Sequence, residues 1–401
     1  MKIYLDNGST TRVDDKVVKE MTVYLKDKYG NASSLHQFGR EANDTLENSR
    51  SIIAQKINAE PDEIIFTPGG SESDNLAIKG IAYANKDKGN HIITSTIEHP
   101  AVTESCKALE RDGFEITYLD VDSEGFIDIE QLKRSITDKT ILVSIIHANN
   151  EIGTIQDMKV IGDICKQNNI LLHSDAVQSF CKVPIDVKKT NIDLLSFSAH
   201  KIHGPKGIGL LFLKKGTKIQ KLNHGGSQEH GIKAGTENIP AITGFAKAVE
   251  VYDKKDIDHM RKLSDRLMKE LLDGVEATRL NGPKCKDRLC NNVNIVFEYI
   301  EGEAILMQLD LKGIAVSTGS ACSSQSLKPS HVLMAIGLPH EIAHGSIRFT
   351  LSKYTTEKDI DYTVKTVKDI IKNLRELSPL RKGVKYVKED HVHSDEDEHD
   401  H

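Results

Sequence analysis

The hydrophobic positions of this chain come in short, nearly continuous runs separated by longer amphipathic stretches. Runs at residues 64–66, 91–95, 141–147, 170–173, 194–197 and 208–213 show little polar alternation. Strands buried on both faces read this way, because neither face meets water. Between the runs the spacing turns helical. After Gly69-Gly70-Ser71, the residues Ala77, Gly80, Ile81 and Ala84 fall at i, i+3, i+4 and i+7, one stripe of a helix. The alternation predicts an α/β fold with a mostly parallel sheet flanked by helices.

From about residue 256 the texture changes. A charged helical stretch (258–274) leads to strand-like segments at 292–297 and 314–317 and to a long amphipathic helix over 357–377. We expect a large domain over 13–257 and a smaller α+β domain built from 1–12 and 258–380. The last twelve residues, from Asp390, hold only Asp, Glu, His, Ser and one Val. Such a segment cannot bury apolar surface, so 381–401 reads as a disordered acidic, His-rich tail.

Composition narrows the class. A length of 401 residues suits two cores, and 38% hydrophobic content can fill them. A formal net charge of -6 gives no electrostatic reason to expect direct nucleic-acid binding. Six scattered cysteines fit a reducing, cytoplasmic setting better than a secreted disulfide scaffold. The N-terminus shows no leader pattern, and no apolar run is long enough to span a membrane.

Chemistry enters at Ser198-Ala199-His200-Lys201, directly after a buried run. Burial of a lysine at a strand end should depress its pKa and free the amine to condense with an aldehyde. A lone strand-end lysine is more often simply solvated, so the neighbours matter. Asp175 ends another buried run, where it could pair with a pyridinium nitrogen or merely cap a helix. Thr67-Pro68-Gly69-Gly70-Ser71 follows a strand and opens a helix, and such an N-terminus can cradle phosphate. Ser198, His200 and Thr236 could add donors. His99 also ends a strand; it could stack on a pyridine ring or be structural. Together these residues point to pyridoxal 5'-phosphate (PLP).

The motifs resemble those of the NifS/IscS-type cysteine desulfurases, fold-type I PLP enzymes of the class V aminotransferase family. The likeness runs from Tyr4-Leu5-Asp6-Asn7 to Leu377-Ser378-Pro379-Leu380. It is strongest at Glu72-Ser73-Asp74-Asn75-Leu76-Ala77-Ile78-Lys79-Gly80, at Asn149-Asn150-Glu151-Ile152-Gly153, and at Ser196-Phe197-Ser198-Ala199-His200-Lys201-Ile202 followed by Gly204-Pro205-Lys206-Gly207. The resemblance implies that Lys201 carries PLP, Asp175 meets the pyridinium, Gln178 meets the phenolic oxygen and His99 stacks on the ring. It implies that Gly70, Ser71, Ser198 and His200 hold the phosphate, with Thr236 supplied by the second subunit of a homodimer. Asn150 and Arg348 would bind the carboxylate of L-cysteine; a guanidinium pairs with carboxylate through two hydrogen bonds. Lys233-Ala234-Gly235-Thr236 departs from the family's Arg-Ser-Gly-Thr, His230 replaces a frequent Arg, and Ser71 stands where Thr is common.

Cys322 lies in Ser317-Thr318-Gly319-Ser320-Ala321-Cys322-Ser323-Ser324-Gln325-Ser326, a small, polar, aromatic-free stretch. Residues 317–330 read as a mobile loop whose thiol can ionise. By resemblance, Lys201 removes the Cα proton, His99 is an acid/base partner, and Cys322 takes the sulfur as a persulfide while alanine leaves. The acceptor implied is an iron–sulfur scaffold protein, with Cys322 as a transient iron–sulfur ligand shared with it. Alternatives are sulfur donation for tRNA or cofactor thiolation, selenocysteine lyase activity, and a non-catalytic assembly scaffold; the intact Lys201, Asp175 and Cys322 argue against the last. The other cysteines (Cys106, Cys165, Cys181, Cys285 and Cys290) read as structural, and Cys285 with Cys290 lacks the second pair a metal site would need.

Overall fold

A computed structural model describes residues 2–318 and 329–378. The chain opens with β1 (Ile3–Tyr4). Seven strands then build the main sheet: β2 (Ile64–Thr67), β3 (His91–Ser95), β4 (Glu115–Leu119), β5 (Thr140–Ser144), β6 (Leu171–Asp175), β7 (Leu194–Ser198) and β8 (Gly209–Leu213). Their order is β2-β8-β7-β6-β5-β3-β4. Only β8 runs against its neighbours; the other adjacent pairs are parallel. Six strand C-termini therefore share one edge, the place where open parallel sheets bind ligands.

The strands that read as continuous apolar runs are buried from end to end, as β3, β5, β7 and β8 show. Within the run expected over 141–147 the regular strand ends at Ser144, although the Ile145 and His147 amides still donate to the His173 and Asp175 carbonyls of β6. Strand β4 escaped the sequence reading. It sits at the sheet edge, where Glu115 is exposed and the next three residues are only half-buried, so it lacks an apolar run.

Beyond residue 277 lie β9 (Thr278–Leu280), β10 (Asn292–Phe297), β11 (Ile314–Ala315), β12 (Ser317–Thr318) and β13 (Ser346–Thr350). Four of them form an antiparallel sheet in the order β12-β13-β10-β9, while β11 pairs in parallel with β1. The single strand expected at 314–317 is thus two, one in each sheet. The charged helix runs Lys254–Gly274, starting four residues early because Asp253 and Asp256 form a capping box. Helix Glu357–Leu377 matches its expected span; Thr356 and Asp359 cap it in the same way.

A second core joins Ile3 and Leu5 to Leu263, Leu267, Ile295, Phe349 and Val367. Each large side chain fully buried there contributes roughly 1.5–3 kcal/mol. The first residues of the chain thus pack among the last ones described. In the main domain, Arg50 forks onto Glu229, with Nη1 2.9 Å and Nη2 3.1 Å from the carboxylate oxygens. Glu229 also accepts the Phe66 amide at 2.8 Å, tying the segment after β8 to β2. Among the described residues, no helix is long and apolar enough to cross a membrane.

Candidate active site

The residues singled out by sequence gather at the shared strand edge. After β2, helix Gly70–Ala84 begins at Gly69 without any side-chain cap. Its first-turn amides are left for another acceptor. A Cβ on Gly70 would stand 2.6 Å from Val177, so the helix start packs closely on the turn after β6. Ser71 is exposed at this first turn, and Ser198 is the buried last residue of β7. His200 follows; its Nδ1 lies 3.1 Å from the Thr10 hydroxyl. Burial, with Lys201 close by, pushes its pKa down to about 3, so the ring is neutral.

Lys201 ends the turn Ala199–Lys201. Its Nζ donates to the carbonyls of Gly8 and Ser9, both at 2.7 Å. Asp175 is the buried last residue of β6, and its Oδ1 accepts the Val177 amide at 2.9 Å. It forms no ion pair among the described residues. Burial raises its pKa, and His99 and Lys201 pull it back. His99 caps helix Pro100–Arg111: its Nδ1 accepts the Ala101 amide at 3.1 Å, which leaves the ring proton on Nε2. The candidate ligand atoms of Asp74, His99 and Asp175 all lie within 4.8 Å of one another. Burial lowers the His99 pKa, Asp175 opposes this, and Lys201 and His331 reinforce it. The imidazole is therefore held neutral near pH 7.

Two acids in this region went unread in the sequence. Asp74, on the second turn of the Gly70 helix, is buried; its Oδ1 has no hydrogen bond and lies 3.6 Å from His173 Nε2. Burial, then Asp175, hold its pKa well above the usual range. Glu98 precedes His99; one oxygen accepts from Ser95 and from the Ile146 amide, and the other has no partner. Burial pushes it up to about 8. Neither acid had a local sequence signal, since only the fold removes their water.

Arg348 on β13 is 3% exposed. Its Nη1 donates to the Asn150 carbonyl at 3.1 Å; its Nη2 reaches Asp6 Oδ1 at 3.1 Å and Ser9 Oγ at 3.0 Å. Its Nε is buried and unpartnered. Gln178 donates to the Gly8 carbonyl at 2.9 Å. Thr236 is exposed beside Thr67, Pro68 and Gly207. Lys233 lies 3.2 Å from Glu72, so it keeps an ionic role where the family has Arg.

The described cysteines are all free thiols. Burial pushes Cys106, Cys165 and Cys181 up to about 12 and also raises Cys290. Cys285 is exposed, contrary to a structural reading. Cys322 and the acidic tail lie outside the described residues.

The family model for class-V aminotransferases matches residues 3–363. Over 390 residues the chain is 51% identical to the cysteine desulfurase IscS of Dictyoglomus turgidum, covering 96% of this chain and 99% of that one. It superposes on the solved structure of a NifS-like protein with a TM-score of 0.88 at 40% identity, covering 93% of this chain and all of the other. It also matches SspA in complex with cysteine, with a TM-score of 0.80 at 36% identity over 88% of this chain and 100% of that one. The chain belongs to the class-V aminotransferase family, whose cofactor is PLP. Within that family its similarity is to the IscS and NifS-like cysteine desulfurases. The site suits the cofactor: an uncapped helix N-terminus answers a phosphate, and a buried carboxyl with no ion pair among the described residues answers a pyridinium.

Proposed function

We propose that this chain is a PLP-dependent cysteine desulfurase, which converts L-cysteine to L-alanine and hands the sulfur to an acceptor. The observation that carries the reading is the meeting of Lys201, Asp175, His99 and the uncapped Gly70 helix at one sheet edge. Bound PLP supplies an electron sink for the charge left at Cα when its proton is removed.

The chain's own residues have these roles. The Gly70 and Ser71 amides, with Ser198 and His200, hold the phosphate. Asp175 would face the pyridinium, whose charge favours the ionised carboxyl against the burial that raises its pKa. His99 covers the ring and offers Nε2–H as a donor. Gln178 exchanges its bond to Gly8 for the phenolic oxygen. Arg348 and Asn150 take the substrate carboxylate; the buried, unpartnered Nε supports this by leaving a donor unused. Lys201 takes the Cα proton.

Cys322 receives the sulfur as a persulfide. In support, the four buried cysteines are held protonated and cannot supply a thiolate near neutral pH. The division into a main domain over 13–257 and a smaller one from 1–12 and 258–380 agrees with the separate core around Ile3, Leu263 and Phe349. A homodimer gives exposed Thr236 a role, reaching the phosphate of a second copy. The acceptor is an iron–sulfur scaffold protein that shares Cys322 as a transient ligand, and the enzyme works in the cytoplasm.

The test is to incubate purified protein with L-cysteine and a small reductant. Equal amounts of alanine and sulfide are expected, together with a persulfide on Cys322 by mass spectrometry. Pyruvate or a keto acid in place of alanine would overturn the reading.

A further inference from the structure

We infer that Ser9 is a positioning residue that sets Arg348 against Lys201 and so selects α-amino acids over plain amines. The inference rests on the proposed role of Arg348 as the carboxylate receptor.

Ser9 touches both groups at once. Its hydroxyl donates to Asp6 Oδ1 at 2.8 Å and accepts from Arg348 Nη2 at 3.0 Å. Its backbone carbonyl accepts from Lys201 Nζ at 2.7 Å. A serine hydroxyl has one proton and two lone pairs, so donating to Asp6 leaves it an acceptor for the guanidinium. With Asp6 as the second acceptor, both Nη2 hydrogens are engaged, while the Asn150 carbonyl holds Nη1. The guanidinium plane is thereby fixed, and Nε is left buried without a hydrogen-bond partner, the donor still free to take a carboxylate.

The segment carrying Ser9 is itself held in place. The Gly8 amide donates to Thr350 Oγ1 at 2.7 Å, and Asn7 Nδ2 donates to the Thr350 carbonyl at 2.8 Å. A Cβ on Gly8 would stand 3.1 Å from Thr350 and 3.4 Å from the guanidinium carbon, so this close approach favours glycine. An amino acid bound here presents its carboxylate to Arg348 and its Cα to Lys201. The separation of those two contacts is set by one residue, through its hydroxyl on one side and its carbonyl on the other. Bound geometry of this kind is worth large factors when it is lost.

The experiment compares the holoenzyme with Ser9→Ala, Ser9→Thr and Arg348→Lys. In Ser9→Ala the KM for L-cysteine should rise about three- to tenfold, the effect of roughly one hydrogen bond, and more than kcat falls. Ser9→Thr, which keeps the hydroxyl, should restore KM. Equilibrium titrations followed by cofactor absorbance give the second readout. Binding of L-alanine should weaken by the same factor, whereas cysteamine, which is cysteine without its carboxylate, should bind as in the parent. Arg348→Lys should weaken L-alanine more than Ser9→Ala does. If Arg348→Lys weakens L-alanine and Ser9→Ala does not, the Ser9 inference fails while the Arg348 role stands. If Arg348→Lys changes neither ligand, the role of Arg348 fails and the inference falls with it. Equal losses for L-alanine and cysteamine in Ser9→Ala would reduce Ser9 to a general structural support.

Discussion

Arg50 and Glu229 form a two-pronged ion pair in the interior, both side chains nearly inaccessible to water. The pair joins helix Gln37–Lys56 to the segment that carries Lys233 and Thr236. Removing Glu229 leaves the buried Arg50 guanidinium with only half-exposed Glu47 and the Ile64 carbonyl, whereas removing both leaves no interior charge and only the Phe66 amide and Ile64 carbonyl to find new partners. Glu229→Ala should therefore destabilise the protein by about 3–5 kcal/mol. The double variant Arg50→Met with Glu229→Leu should recover much of that loss. Urea unfolding of the three proteins decides; a double variant as unstable as the single one would mean the loss comes from the Phe66 amide instead.

Lys201→Ala should abolish turnover, because no other amine among the described residues is held against the Gly8 and Ser9 carbonyls. The purified variant should also lack the absorbance of covalently held cofactor and show it only as loosely bound PLP. Retained desulfuration by this variant would sink the cofactor assignment.

Cys322→Ser separates cysteine binding from sulfur transfer. The hydroxyl does not ionise near neutral pH and is a poor nucleophile toward sulfur. Spectral changes on adding L-cysteine should persist, while sulfide release and persulfide disappear. Persulfide on exposed Cys285 in the parent enzyme would show that the sulfur travels by a different thiol.

The pH dependence of stability should carry the mark of Glu98. Its folded pKa, about 8, is raised by burial above the ordinary carboxyl value. Below about pH 4, folded and unfolded chains both hold the proton. As pH rises toward 8 the unfolded chain releases it and the folded chain keeps it, so stability is lost across that window. Every tenfold difference in proton affinity between the folded and unfolded chains is worth about 1.4 kcal/mol. Glu98→Gln removes the titration and should flatten the stability profile between pH 5 and 8, measured by urea midpoints. An unchanged slope would mean that Glu98 is already ionised at neutral pH.

Much of the fold is legible in the sequence because burial and chemistry coincide along the chain. The continuous apolar runs foretell β3, β7 and β8, and Lys201 and Asp175 stand out because each closes such a run. The edge strand β4 does not, since its half-wet residues resemble a loop. The capping role of His99 has a signal in Pro100, a residue that fits the first helical position. The clamp of Asp6 and Ser9 on Arg348 has no local signal at all: 342 residues separate Asp6 from Arg348. Asp74 looks like one more polar residue in a helical motif until the sheet seals it from water.

On the ribosome, residues 3–9 are made long before some of their partners. β1 pairs with β11, and Asn7 and Gly8 bond to Thr350. Domains fold as units while the chain emerges, the N-terminal one ahead of the rest. The clamp on Arg348 is thus complete only once the segment carrying Asp6 and Ser9 meets β13. A nascent chain stalled before β13 would hold every strand of the main sheet yet lack Arg348.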